Sequence, residues 1–231
     1  MVRFKLFGAW VSIHPSIWAV LALMGYMLTG GEFGWLGVAL FVVAGFLSLL
    51  AHEMGHAVVG RWFGGGAPVV NLAWLGGSCV NEDARLSRFA RLLMTAAGPL
   101  ASLLLALPVY ILLVHASGSA GGGLDMLAEL LFGSIPTMLQ EQYPPMVILF
   151  FACLVQVGVW WSVLNLLPIY PLDGGLIMTC LMYSPRKMHI FSMAVAVVLT
   201  ALALFTGYHI MAILLGMLII VNYNGVRNSP Y

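Results

Sequence analysis

The feature that most constrains this chain is a series of apolar runs, each about as long as a bilayer is thick. A membrane core asks for roughly 20 consecutive apolar residues per helix. Windows of about 19 residues pick out six runs, at 15–29, 35–60, 92–115, 145–167, 189–206 and 208–223, with a shorter apolar piece at 174–183. A soluble domain carries about a quarter of its residues as Asp, Glu, Lys and Arg; here the share is 7%, and 62% of residues are hydrophobic. The runs lack the dyad alternation that a membrane barrel requires. The expected fold is therefore an all-α polytopic membrane protein of six transmembrane helices. No stretch between runs is long enough for a soluble domain, so residues 1–231 read as a single membrane-embedded domain, with lipid as surroundings and no nucleic-acid partner.

His14-Pro15 interrupts the first run, and no small-residue cleavage site bounds it, so it is not expected to be a removable signal. Cys79, Cys153 and Cys180 are odd in number and far apart, which fits packing better than a disulfide framework. With six spans the nine basic residues (Arg3, Lys5, Arg61, Arg85, Arg88, Arg91, Arg186, Lys187, Arg227) all fall in alternate connections. Basic loops stay cytoplasmic, which predicts both termini on that side. Glu32, Asp125, Glu129 and Glu141 fall in the opposite connections.

Between the second and third runs, Gly64-Gly65-Gly66-Ala67-Pro68 leads into a β-like piece, Val69 to Gly77. It is too short to span. Non-helical backbone at membrane depth must be buried in protein or line a wet cavity, so this piece is expected to be either a re-entrant strand near the cytoplasmic face or an interfacial loop, and its free edge could pair with an extended peptide. Arg85, Arg88 and Arg91 read as a solvated or snorkelling face at the start of the third span. Residues 117–123 and 136–145 read as loop, with a short amphipathic helix over 124–132.

Ionisable residues inside a span are functional hypotheses by default, and Ala51-His52-Glu53-Met54-Gly55-His56 places three in the second. On a helix His52 and His56 lie one turn apart on one face, so both imidazoles can reach one zinc ion. Glu53 lies beside them, placed to take a proton from water at the metal. Three ionisable groups in hydrocarbon are costly unless something such as a metal explains their burial.

Zinc catalysis needs a third protein ligand and an open position. Asp173 is the other acid in a span region, at the break in Asn165-Leu166-Leu167-Pro168-Ile169-Tyr170-Pro171-Leu172-Asp173-Gly174-Gly175. Two readings are open for it: a metal ligand, which the second-span motif favours, or an N-cap of the short helix that follows. Glu53 would lie about 12 Å above the interface marker Arg61, a depth that Asp173 can share. His14, His115, His189 and His209 are rival third ligands but fall at span ends.

HEMGH in one span, NLLPIYPLDGG in a later one and LFGAWVSIHPSIW near the start together resemble the site-2 protease family of intramembrane zinc metalloproteases. The likeness runs from about residue 4 to 183, with 189–223 left as a C-terminal helical pair. The resemblance implies one zinc ion on His52, His56 and Asp173, Glu53 as general base, and regulated cleavage of single-span membrane proteins. Asn165 matches a family asparagine that would hold the scissile carbonyl; its other reading is a span residue bonded to a neighbouring helix. Ala96-Ala97-Gly98-Pro99-Leu100-Ala101-Ser102 resembles the family's third-span motif, where an asparagine often stands in place of Ser102, and close packing of small residues accounts for it. The 69–80 segment resembles the family strand that pairs with substrate. Some relatives carry PDZ or CBS modules for which no room is expected after residue 223, so regulation would come from a membrane partner, from a preliminary trimming of the substrate or from gating.

The rival function is a divalent metal transporter or channel, since intramembrane His and acid residues and a broken helix also mark ion pathways. Against it stand the lack of an inverted repeat and of a second polar stage toward the outside. A non-catalytic metal protein would not need Glu53.

Overall fold

The computed structural model describes residues 1–64, 66–74, 76–80 and 86–229. Gly65 of the glycine-rich lead-in, Leu75 of the β-like segment and Arg85 of the arginine series lie outside these described residues. The chain divides into two units, residues 1–85 with 97–162 and residues 86–96 with 163–231.

The first unit opens with a hairpin, β1 (Val2–Leu6) and β2 (Ala9–Ile13), turned at Phe7 and Gly8, both with positive φ. That pair of backbone angles is the one a two-residue hairpin loop demands. β3 (Val69–Ala73) pairs parallel with β2, Trp10 opposite Val69, and β4 (Gly76–Val80) pairs antiparallel with β3. The sequence pattern foresaw one short β segment; it belongs to a four-stranded sheet of order β1-β2-β3-β4. The inward faces of the central strands are dry: Val11, Val70 and Leu72 are fully buried.

A parallel pair needs a long crossover, and α1 (Ser16–Trp62) supplies it. The helix is broken at Gly34, whose backbone is non-helical with positive φ. Its two arms fold against each other: the Trp18 and Phe46 rings meet tilted by 33° with centroids 4.8 Å apart, and Leu21 packs over Gly45. The return arm therefore ends near the strand from which the first arm began. Among the described residues, five helices are long and apolar enough to cross a membrane: Phe33–Trp62, Arg88–Ser117, Pro145–Asn165, Pro185–Phe205 and Met211–Asn228. The first expected span, 15–29, is also an apolar helix, Ser16–Thr29, in the arm of α1 that precedes Gly34.

α2 (Arg88–Leu104) and α3 (Ala106–Ser117) form the continuous apolar stretch after the sheet. α4 (Ala120–Leu131) then packs back on α3 through buried Met126 and Leu130. The glycine-rich 120–123 is thus helix rather than loop: Ser119 caps it by accepting from the Gly122 N–H, and Gly123 lets it approach Val114 closely. α5 (Thr137–Gln142) is a short helix, and α6 (Pro145–Asn165) follows.

The second unit holds the end of α6, α7 (Asp173–Leu181), and the paired helices α8 (Pro185–Phe205) and α9 (His209–Asn228). Ala196, Ala203 and Ala212 lie in the seam of the pair with Leu215, and Ile169 joins the same core. Small residues let membrane helices approach closely.

Candidate metal centre

In the return arm of α1, His52, Glu53 and His56 are buried, with 2%, 5% and 7% of their surface exposed. The four-residue spacing puts both imidazoles on one face. Their Nε2 atoms lie 3.3 Å apart and the rings meet edge to face, centroids 4.9 Å apart. The other ring nitrogen of His52, Nδ1, lies 3.2 Å from the Ser102 Oγ, and the Ser102 hydroxyl donates to the Gly98 carbonyl at 3.4 Å. The serine oxygen then accepts from Nδ1–H, so His52 Nε2 keeps its lone pair. Such a bond to the far nitrogen orients an imidazole ligand and fixes its tautomer. Packing of small residues in the third-span motif thus understates Ser102.

Two glycines make room for these side chains. A Cβ at Gly98 would overlap the His56 ring, and one at Gly77 would overlap the Glu53 side chain. β4 therefore passes directly over the Glu53 carboxylate. Cys79, two residues along β4, registers that closeness: burial first, and the Glu53 charge second, push its thiol up to about 12.

In the second unit, α6 ends at the half-buried Asn165, and residues 166–172 form a tight turn with a cis Tyr170–Pro171 bond. The turn is closed by backbone bonds from the Ile169 N–H to the Leu167 carbonyl at 2.7 Å and from the Leu172 N–H to the Ile169 carbonyl at 2.8 Å. A Cβ at Gly174 would overlap the Leu166 carbonyl, and one at Gly175 the Tyr170 backbone. The double glycine is what lets the turn lie against the start of α7. Asp173 is buried in the first helical turn, whereas Leu172 holds the N-cap position and makes no side-chain cap bond. The first intrahelical bond runs from the Leu176 N–H to the Leu172 carbonyl, so the N-cap reading does not describe Asp173. Of the rival histidines, His14 bonds Ser16 and His189 bonds Asn222.

The donors fit zinc. At Zn–N distances of about 2.0–2.1 Å, a tetrahedral ion holds two nitrogens about 3.3–3.4 Å apart, which is the separation of the two Nε2 atoms. Each of His52, His56 and Asp173 offers one buried ligand atom of a type that zinc accepts. The sequence profile of peptidase family M50 matches residues 40–207. The chain belongs to peptidase family M50. A solved structure, "Site-2 Protease from Methanocaldococcus jannaschii", resembles the M50 peptidase over 100% of this chain and 97% of that one, with a TM-score of 0.56 and 18% identity. At that identity the likeness speaks for the fold. Among curated proteins none matches. This M50 chain is an integral membrane zinc metalloprotease.

Proposed function

We propose that this peptidase hydrolyses peptide bonds in or beside the transmembrane segments of single-span membrane proteins, in regulated intramembrane proteolysis. The whole chain works as one membrane-embedded domain, its zinc ion held by His52, His56 and Asp173. The observation that carries the reading is the buried pair of imidazole nitrogens at zinc-ligand spacing with Glu53 next to them in the chain. A buried carboxylate beside two histidines serves general-base chemistry better than cargo transfer. Zinc, when bound, polarises a carbonyl and lowers the pKa of water toward about 7.

The chain's own residues do the rest. Ser102 holds His52 in the Nε2-ligating tautomer. Glu53 takes the proton from the attacking water at its carboxylate and returns it to the leaving amine. Asn165 donates its side-chain N–H to the scissile carbonyl. β4, at the end of the sheet order and with no second strand beside it among the described residues, offers its edge to an unwound substrate segment. Basic residues in alternate connections support cytoplasmic termini and an active site opening to that side, with a membrane partner or a preliminary trimming of the substrate as the regulator.

The test is metal content together with cleavage of a single-span substrate in detergent. Wild type binds about one zinc and cuts. Glu53→Gln keeps the metal and does not cut, whereas Asp173→Ala loses metal. Cleavage by Glu53→Gln at the wild-type rate would remove the base assignment. Metal crossing vesicle membranes with no cleavage would move the protein to the transporter class.

A further inference from the structure

The residues of α8 and α9 that face the turn before Asp173 are too specific to be packing alone. Asn222 is fully buried on α9. Its amide nitrogen donates to the Tyr170 carbonyl at 2.6 Å and to the Leu218 carbonyl at 2.9 Å, and its oxygen accepts from His189 Nδ1 at 3.0 Å. Each polar atom of that side chain is thus used. The Tyr170 N–H donates to the Oγ of Ser192 on α8 at 3.2 Å, and the Ser192 hydroxyl turns to the Met188 sulfur at 3.5 Å. Ser192 is also fully buried. Both backbone groups of Tyr170 are therefore gripped from the helical pair, one by each helix.

The grip is itself braced. The His189 ring meets the Tyr170 ring edge to face, centroids 5.1 Å apart, and lies so close to Gly225 that a Cβ there would come within 2.6 Å of the imidazole. A buried asparagine with both polar atoms satisfied costs more to displace than one facing solvent, because each broken bond strands a desolvated group. A turn held only by its own short backbone bonds would have no such anchor.

We infer that Asn222 and Ser192 are positioning residues: they clamp both backbone groups of Tyr170 and so set the direction in which Asp173, three residues on, presents its carboxylate. This gives the C-terminal helical pair a part in metal binding without supplying a ligand. It rests on the reading of Asp173 as a zinc ligand.

The experiment uses the full chain in detergent, with zinc affinity measured by chelator competition. Residues that orient a ligand shift metal affinity about 10–100-fold. Asn222→Ala and, with almost no volume change, Ser192→Ala should each weaken zinc binding about tenfold and lower kcat with KM unchanged. Asn224→Ala, at an exposed position of α9, is the control and should change neither. The double variant Asp173→Ala/Asn222→Ala should bind zinc no more weakly than Asp173→Ala alone, since the clamp acts through Asp173. Wild-type zinc affinity in both clamp variants, or additive losses in the double variant, would overturn the inference. If Asp173→Ala itself binds zinc like wild type, the ligand reading fails instead. Hydrogen exchange of the metal-free protein then judges the clamp alone: residues 166–173 should exchange about tenfold faster in Asn222→Ala, and unchanged exchange would refute it.

Discussion

The two ends of the proposed metal centre are built on opposite plans. His52, Glu53 and His56 sit on three positions of one helix, where the backbone period alone fixes their relation. Asp173 follows a non-repetitive turn whose shape depends on contacts from residues 192 and 222, far along the chain. A change near the histidines should therefore act through the side chain it alters. A change near Asp173 can act from a distance.

The largest effect that would sharpen this contrast is at the helix itself. Glu53→Gln should lower kcat by about 10²–10⁴ with zinc stoichiometry unchanged, read by single-turnover cleavage alongside metal analysis; a parallel loss of zinc would show that the helical end is not locally determined. Next comes Gly98→Ala, which drives a methyl into the space of the His56 ring. It should cost about 1–3 kcal/mol of stability, seen as a lower thermal midpoint in detergent, together with weaker zinc binding. Ser102→Ala should weaken zinc about tenfold while leaving the helix intact by circular dichroism. If Ser102→Ala and Asn222→Ala had equal effects on exchange of residues 166–173, the two plans would not be separate.

The smallest effect concerns Cys79. Its thiol is raised to about 12 by burial and then by Glu53, so the folded state holds that proton while the unfolded chain loses it near the usual value of 9.0. Stability from this group is thus present below the unfolded value and is lost as pH rises from there toward about 12. In a protein carrying Cys153→Ala and Cys180→Ala, maleimide labelling at mildly alkaline pH should be slow when folded and fast in denaturant. Glu53→Gln should speed it slightly.

The same contrast explains what could be read from the amino-acid order. The HEMGH spacing is a local code, and the apolar runs announced each of the five helices that, among the described residues, are long enough to cross. The sheet was half seen: the 69–77 piece has glycine punctuation, but the β1–β2 hairpin joins it only through the parallel pairing of β2 with β3 across α1. Ser102 had a signal, a polar side chain in an apolar span at a position where relatives place an amide. Asn222 and Ser192 had none, because nothing in a helical run tells which polar residue will meet a turn about 20 or 50 residues away in the chain. The gap between the first two apolar runs falls at the break at Gly34.

That parallel pairing has a consequence for biogenesis. Strands β2 and β3 stand on either side of the 47-residue α1, so the nascent chain cannot pair them until that helix has been synthesised. β4, which lies over Glu53, joins only after β3. In chain order His52 and His56 thus come before the strand that covers Glu53, and Asp173 comes after both.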